Sequence, residues 1–222
     1  MNCKQLDTIL LGMKKLIFVV FLLLFTQSAI AGSMDERVSE IEGSWVDTRE
    51  IQAIPERKNI FLQLVNDITD VVVDFPSQAE PLILKSAILL TMAEDASSFV
   101  ALALVNEAKD LLQKAIGINP KASQGSALVT LGVLYYKVPS WPIAFGDNSE
   151  AEAYLLKALE VDPEGIGSNY YYGEFLLEQG KKEQAVSFLN KALGTRIDPN
   201  DKKSKIRIKE QEKARIALAN LS

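Results

Sequence analysis

From residue 32 onward the apolar positions of this chain recur at intervals of three and four. Leu111, Leu112, Ala115 and Ile116 make one stripe, Leu155, Leu156 and Leu159 a second, and Val186, Leu189 and Leu193 a third. A helix advances about 100° per residue, so this spacing gathers apolar side chains on one face and predicts helices. No stretch of useful length alternates with period two. The only β-branched run, Val71-Val72-Val73, stops at Asp74-Phe75-Pro76. The body is therefore expected to be all-α.

The stripes themselves repeat. Three helices end alike: Leu112-x-x-Ala115 before Pro120, Leu155-x-x-Ala158 before Pro163, and Leu189-x-x-Ala192 before Pro199. Ala158 and Ala192 are 34 residues apart, the period of a tetratricopeptide repeat. Seven residues before each of these alanines is another small one, Ala108, Ala151 or Ala185. Small residues let two helices approach, and the prolines end each pair because proline cannot continue the hydrogen-bond ladder. Partner helices match as well: Leu128, Leu131, Gly132 and Tyr135 occupy the same offsets as Asn169, Tyr172, Gly173 and Leu176. Upstream, Pro81 to Glu94 and Phe99 to Ile116 read as a more degenerate pair, with Ala87 and Leu90 at packing offsets, and Ile60 to Val73 as half a pair. The expected fold is an α-solenoid of about three to four degenerate tetratricopeptide-like helix-turn-helix pairs over residues 55–200. A charged helix over 201–222 should cap it through Ile206, Ile208, Ala214, Leu218 and Leu221, as a solenoid end requires. Residues 32–54 are weakly patterned.

One departure from the repeat stands out. Gly132 and Ala151 are nineteen residues apart, whereas Gly173 and Ala185 are twelve apart. The extra residues belong to the stretch 137–147, with Pro139, Trp141, Pro142 and Phe145, which is apolar, stiff and unhelical. Ser149 is expected to cap the following helix, with Glu152 completing a capping box. Trp141 and Phe145 are expected either to tuck between helix pairs and brace the array, the favoured reading, or to line a binding surface. Of the two, Trp141 is the better bracing residue, because Pro139 and Pro142 hold it from both sides, and Phe145 the better contact residue.

The run Leu131-Gly132-x-Leu134-Tyr135-Tyr136-x-Val138-Pro139-x-Trp141-Pro142-Ile143-x-Phe145-Gly146-Asp147 resembles a signature of the TatT-like T-component proteins associated with tripartite ATP-independent periplasmic (TRAP) transporters. Tyr170 to Gly180 resembles a second signature of that family, and the likeness spans roughly residues 55–195. Glycine is usual in the family where this chain has Ser140 and Ala144. The resemblance implies a periplasmic protein of degenerate tetratricopeptide repeats, homo-oligomers among its members, and a part in handling small hydrophobic ligands for a transporter.

The first 31 residues read as an address. Lys14-Lys15 precedes an apolar run from Leu16 to Phe25, and Ala29-Ile30-Ala31 places small residues where a signal peptidase needs them. Ten apolar residues are too few to span a bilayer comfortably. A cleavable signal peptide over 1–31, cut after Ala31, is expected, with a periplasmic product starting at Gly32. Met13 is an alternative start to Met1. The only cysteine, Cys3, precedes the apolar run, so the mature chain is expected to carry no thiol. The formal net charge of −5 becomes about −7 once the leader's Lys4, Lys14, Lys15 and Asp7 are removed. An acidic body repels nucleic acid.

Catalytic chemistry has little to stand on. The chain has no histidine, which excludes a Ser-His-Asp triad and histidine-ligated zinc. No phosphate-binding glycine loop is present. No enzyme activity, cofactor or metal is expected. The expected function is a protein–protein interaction scaffold in the cell envelope; the alternative is a TatT-like accessory protein holding a small hydrophobic ligand for a TRAP-type transporter. Candidate contacts are Tyr136, Tyr170 and Glu174 on a concave face built from first helices, with Trp141 and Phe145 in the loop. Repeat packing is assigned to Ala115, Gly132, Ala151, Ala158, Gly173, Ala185 and Ala192.

Overall fold

The computed structural model describes residues 32–199 and 203–221. The described residues from Val38 onward belong to one compact unit. The expected signal peptide, residues 1–31, lies outside the described residues. Among those described there are nine α-helices: α1 Met34–Thr48, α2 Ile54–Asp74, α3 Glu80–Glu94, α4 Ser98–Ile118, α5 Ser126–Lys137, α6 Asn148–Val161, α7 Ile166–Glu178, α8 Lys182–Gly194 and α9 Ser204–Ala219.

Three hairpins, α3/α4, α5/α6 and α7/α8, have the closest backbone seams. Successive first helices then stack, with α5 against α7, and α2 flanks α3. Small residues set these seams. Ala108, Ala115, Ala151, Ala158, Ala185 and Ala192 are all fully buried. A β-carbon on Gly132 would lie 2.7 Å from Leu155 Cγ, and one on Gly173 would lie 2.9 Å from Leu189 Cγ. The two glycines thus do the same job one repeat apart. Each gives up its side chain so that a leucine of the second helix can seat in the gap.

The C-terminal helix α9 packs on both α7 and α8. Ala214 is fully buried there, with Ala217 and Leu218 beside it. The Gln211 amide donates to the carbonyls of Ala192, Leu193 and Thr195, satisfying acceptors that the end of α8 leaves without helical partners. Ile208, expected to help cover the array, instead points to solvent. Residues 32–54 depart further from expectation, because they contain the helix α1. Ile41, Trp45 and Thr48 are its buried residues. Their spacing of four and three is itself a helical stripe, hidden by the polar residues around it.

Candidate functional site

The loop between α5 and α6 is pinned at its base. Gly146 N donates to Pro139 O at 3.0 Å, and Asp147 N donates to Tyr135 O at 2.8 Å. A β-carbon on Gly146 would fall 2.0 Å from Val138 O, so only glycine lets the two sides of the loop meet. The cap of α6 is Asp147, whose Oδ1 accepts from Ser149 N at 2.7 Å and Glu150 N at 3.2 Å. This corrects the expected Ser149/Glu152 box. Glu152 faces the next repeat instead, 3.4 Å from the Tyr172 hydroxyl and 3.3 Å from Lys181 Nζ.

The two loop aromatics sit the other way round from the expected pairing of Trp141 as brace and Phe145 as contact. Trp141 is 86% exposed and Ile143 69% exposed. Phe145 turns inward, edge-on to Tyr135 at 5.5 Å, with Lys109 Nζ 4.5 Å above its ring. Tyr135 also stacks on Tyr154 of α6. Phe145 therefore anchors the loop and Trp141 is held out by it.

On the first helices, Tyr136, Glu174 and Tyr170 come together. Tyr136 OH donates to Glu174 Oε2 at 2.6 Å, and Tyr170 OH donates to Oε1 at 3.3 Å. Lys137 Nζ lies 3.6 Å from the same carboxylate and also pairs with Glu178. Burial first, then the Glu174 charge, holds both phenols above the usual tyrosine range. They stay neutral donors at any ordinary pH. Tyr170 is only 4% exposed, in one apolar cluster with Ala214 of α9. The open groove expected at Tyr170 is thus closed by the capping helix.

At the α3 end the same face is covered by α1. Thr91 is four residues past Ala87, as Tyr136 is past Gly132 and Leu177 past Gly173, so Thr91 is α3's contribution to that face. Its Oγ1 accepts from Trp45 Nε1 at 3.0 Å, within a buried contact. Arg49 lies over the Trp45 ring at 5.2 Å. It also sits close enough to Tyr171 of α7 to oppose the upward push of burial, Glu210 and Glu174 on that phenol. Acidic groups on and just after α1 meet lysines at the start of α9: Glu42 with the N-cap Lys203 at 3.6 Å, Asp47 with Lys205 at 2.9 Å, and Glu50 with Lys209. Both series ascend together, so the two helices run parallel here. Between them is an open cleft of about 320 Å³ lined by Val46, Arg49, Lys205, Ile206, Ile208 and Lys209. None of these α1 contacts was foreseen, although the Ile41, Trp45, Thr48 stripe could have signalled them.

A tetratricopeptide repeat family model matches residues 143–164, the end of the loop and α6. A search of curated proteins finds no match. Two solved structures of MamA are similar in part. One has 21% identity and a TM-score of 0.45 over 60% of this chain and 67% of that one. The other has 18% identity and a TM-score of 0.35 over 72% and 99%. With its stacked hairpins, its paired glycine seams and the repeat match at α6, the described chain is an all-α, tetratricopeptide-like solenoid.

Proposed function

We propose that the protein is an exported, periplasmic scaffold for protein–protein interaction in the cell envelope, with the α5–α6 loop as a contact point. The observation that carries this is Trp141, held 86% exposed on a loop pinned at its base, with Ile143 beside it. Tryptophan is the side chain most enriched at interface hot spots, and a rigid loop presents it at little cost in conformational entropy. A photoreactive residue at position 141 should cross-link a protein in cells. The same residue at Glu183, exposed on α8, should not. No adduct from 141 in a folded protein sinks the reading. Export predicts that this protein, recovered from the periplasmic fraction, has an intact mass starting at Gly32. A membrane-retained species that still carries Met1 or Met13 contradicts it.

The cleft between α1 and α9 favours a second reading, the TatT-like accessory protein for a TRAP-type transporter. Val46, Ile206 and Ile208 give it apolar walls, with Lys205 and Lys209 at the rim, and its size suits a small hydrophobic molecule. A mass adduct on the native protein that is lost in Ile206→Glu supports this reading. An adduct-free native spectrum removes it.

A further inference from the structure

A second surface, distinct from the Trp141 loop, already holds a helix. α1 meets the face formed by the first helices through its side chains, and it joins none of the close backbone seams that hold the hairpins together. Its buried residues are Ile41, Trp45 and Thr48, one stripe of a helix otherwise rich in acid. Trp45 is its anchor, 8% exposed, with its indole N–H on Thr91. Its outer acids face the lysines of α9. Two of these ion pairs are largely exposed, Lys205–Asp47 at 68% and 72% and Lys209–Glu50 at 56% and 63%, so they contribute little to affinity while still fixing direction and charge preference; Lys203–Glu42 is more shielded.

We propose that this face is a binding groove for an acidic amphipathic helix of a protein partner, and that α1 is its built-in competitor. The occupant is defined by what α1 shows. It carries an aliphatic residue and a tryptophan four positions later on one side, and carboxylates on the side turned to Lys203, Lys205 and Lys209. This is recognition of a helix in a groove by anchors on one stripe. The tether raises the local concentration of α1 to the millimolar range, so a free helix of equal intrinsic affinity is excluded until α1 loosens.

The test uses the full chain and a fluorescein-labelled peptide of residues 34–50. Trp45→Ala should bind the peptide at least tenfold more tightly than the unaltered chain does. Should Trp45→Ala fail to fold, Glu42→Lys/Asp47→Lys/Glu50→Lys loosens α1 from the solvent side and should give the same gain. Adding Lys203→Glu/Lys205→Glu/Lys209→Glu to the Trp45→Ala chain should cut binding about tenfold. A peptide carrying Trp45→Ala should lose binding to the same degree. Equal peptide binding by loosened and unaltered chains, or none by a loosened chain whose helical melt is intact, overturns the proposal. Dimerisation of the loosened chain by exchange of α1 overturns it too, because the occupant would then be a second copy.

Discussion

Phe145 and Trp141 show how little a residue type says about where its ring goes. Both rings sit in one apolar loop beside prolines, and Pro139 and Pro142 do make that loop stiff. Stiffness fixes a direction without revealing it. The direction is set by Gly146 and Asp147, which tie the loop back to Val138, Pro139 and Tyr135 and turn Phe145 toward Tyr135. The two alanine variants should therefore separate. Phe145→Ala removes a partly buried anchor and should cost about 2 kcal/mol, lowering the thermal midpoint by roughly 4–8 °C. Trp141→Ala should leave the midpoint within about 1 °C, since an exposed ring contributes little to folding. A large loss of stability in Trp141→Ala would place that ring against the array after all.

At the level of the element, the hairpins were legible because their constraints are local and recur. Ala158 and Ala192 mark the period, and Gly132 and Gly173 mark the closest approach. A small residue at a seam has no substitute, so the spacing of small residues reports the packing directly. Helix α1 was not legible because its partners are distant in sequence and its stripe is only three residues long. α9 was half legible. Its cap over α8 was expected, but Glu210 was not singled out. Glu210 lies against Gly167, where a β-carbon would meet its carboxyl oxygens at 3.4 and 3.5 Å. Burial pushes it up to about 7 despite Arg207, Lys213 and Lys203, and Tyr170 and Tyr171 both register its charge. Between the ordinary glutamate value and 7, the folded chain keeps a proton that the unfolded chain has released. Stability conferred by that proton is complete below the unfolded value and is lost as pH rises through 7. This carboxyl alone should remove about 3 kcal/mol of stability between pH 4.5 and pH 7.5. Glu210→Gln should flatten that slope in urea titrations. Identical slopes would mean the carboxyl is solvated.

For the whole molecule, the pairing of α1 with α9 sets an order of events. Asp47 and Lys205 are 158 residues apart, and Glu50 and Lys209 are 159 apart. Closing a loop that long in an unstructured chain costs roughly 4–5 kcal/mol. Ion pairs as exposed as Asp47–Lys205 and Glu50–Lys209 return little of that. The contact therefore cannot nucleate folding; the hairpins, whose contacts are local, must first shorten the path between the ends. In refolding of a Trp141→Phe chain, helical circular dichroism should recover before the fluorescence of Trp45, the tryptophan that remains. Coincident recovery would show that α1 docks while the hairpins form. The same order applies during synthesis. α1 precedes its partner α9 along the chain, so until α9 emerges the growing chain carries α1's carboxylates without the lysines that answer them. For that interval α1 is held by Trp45 and its apolar stripe alone, without the charge pairs that fix its direction.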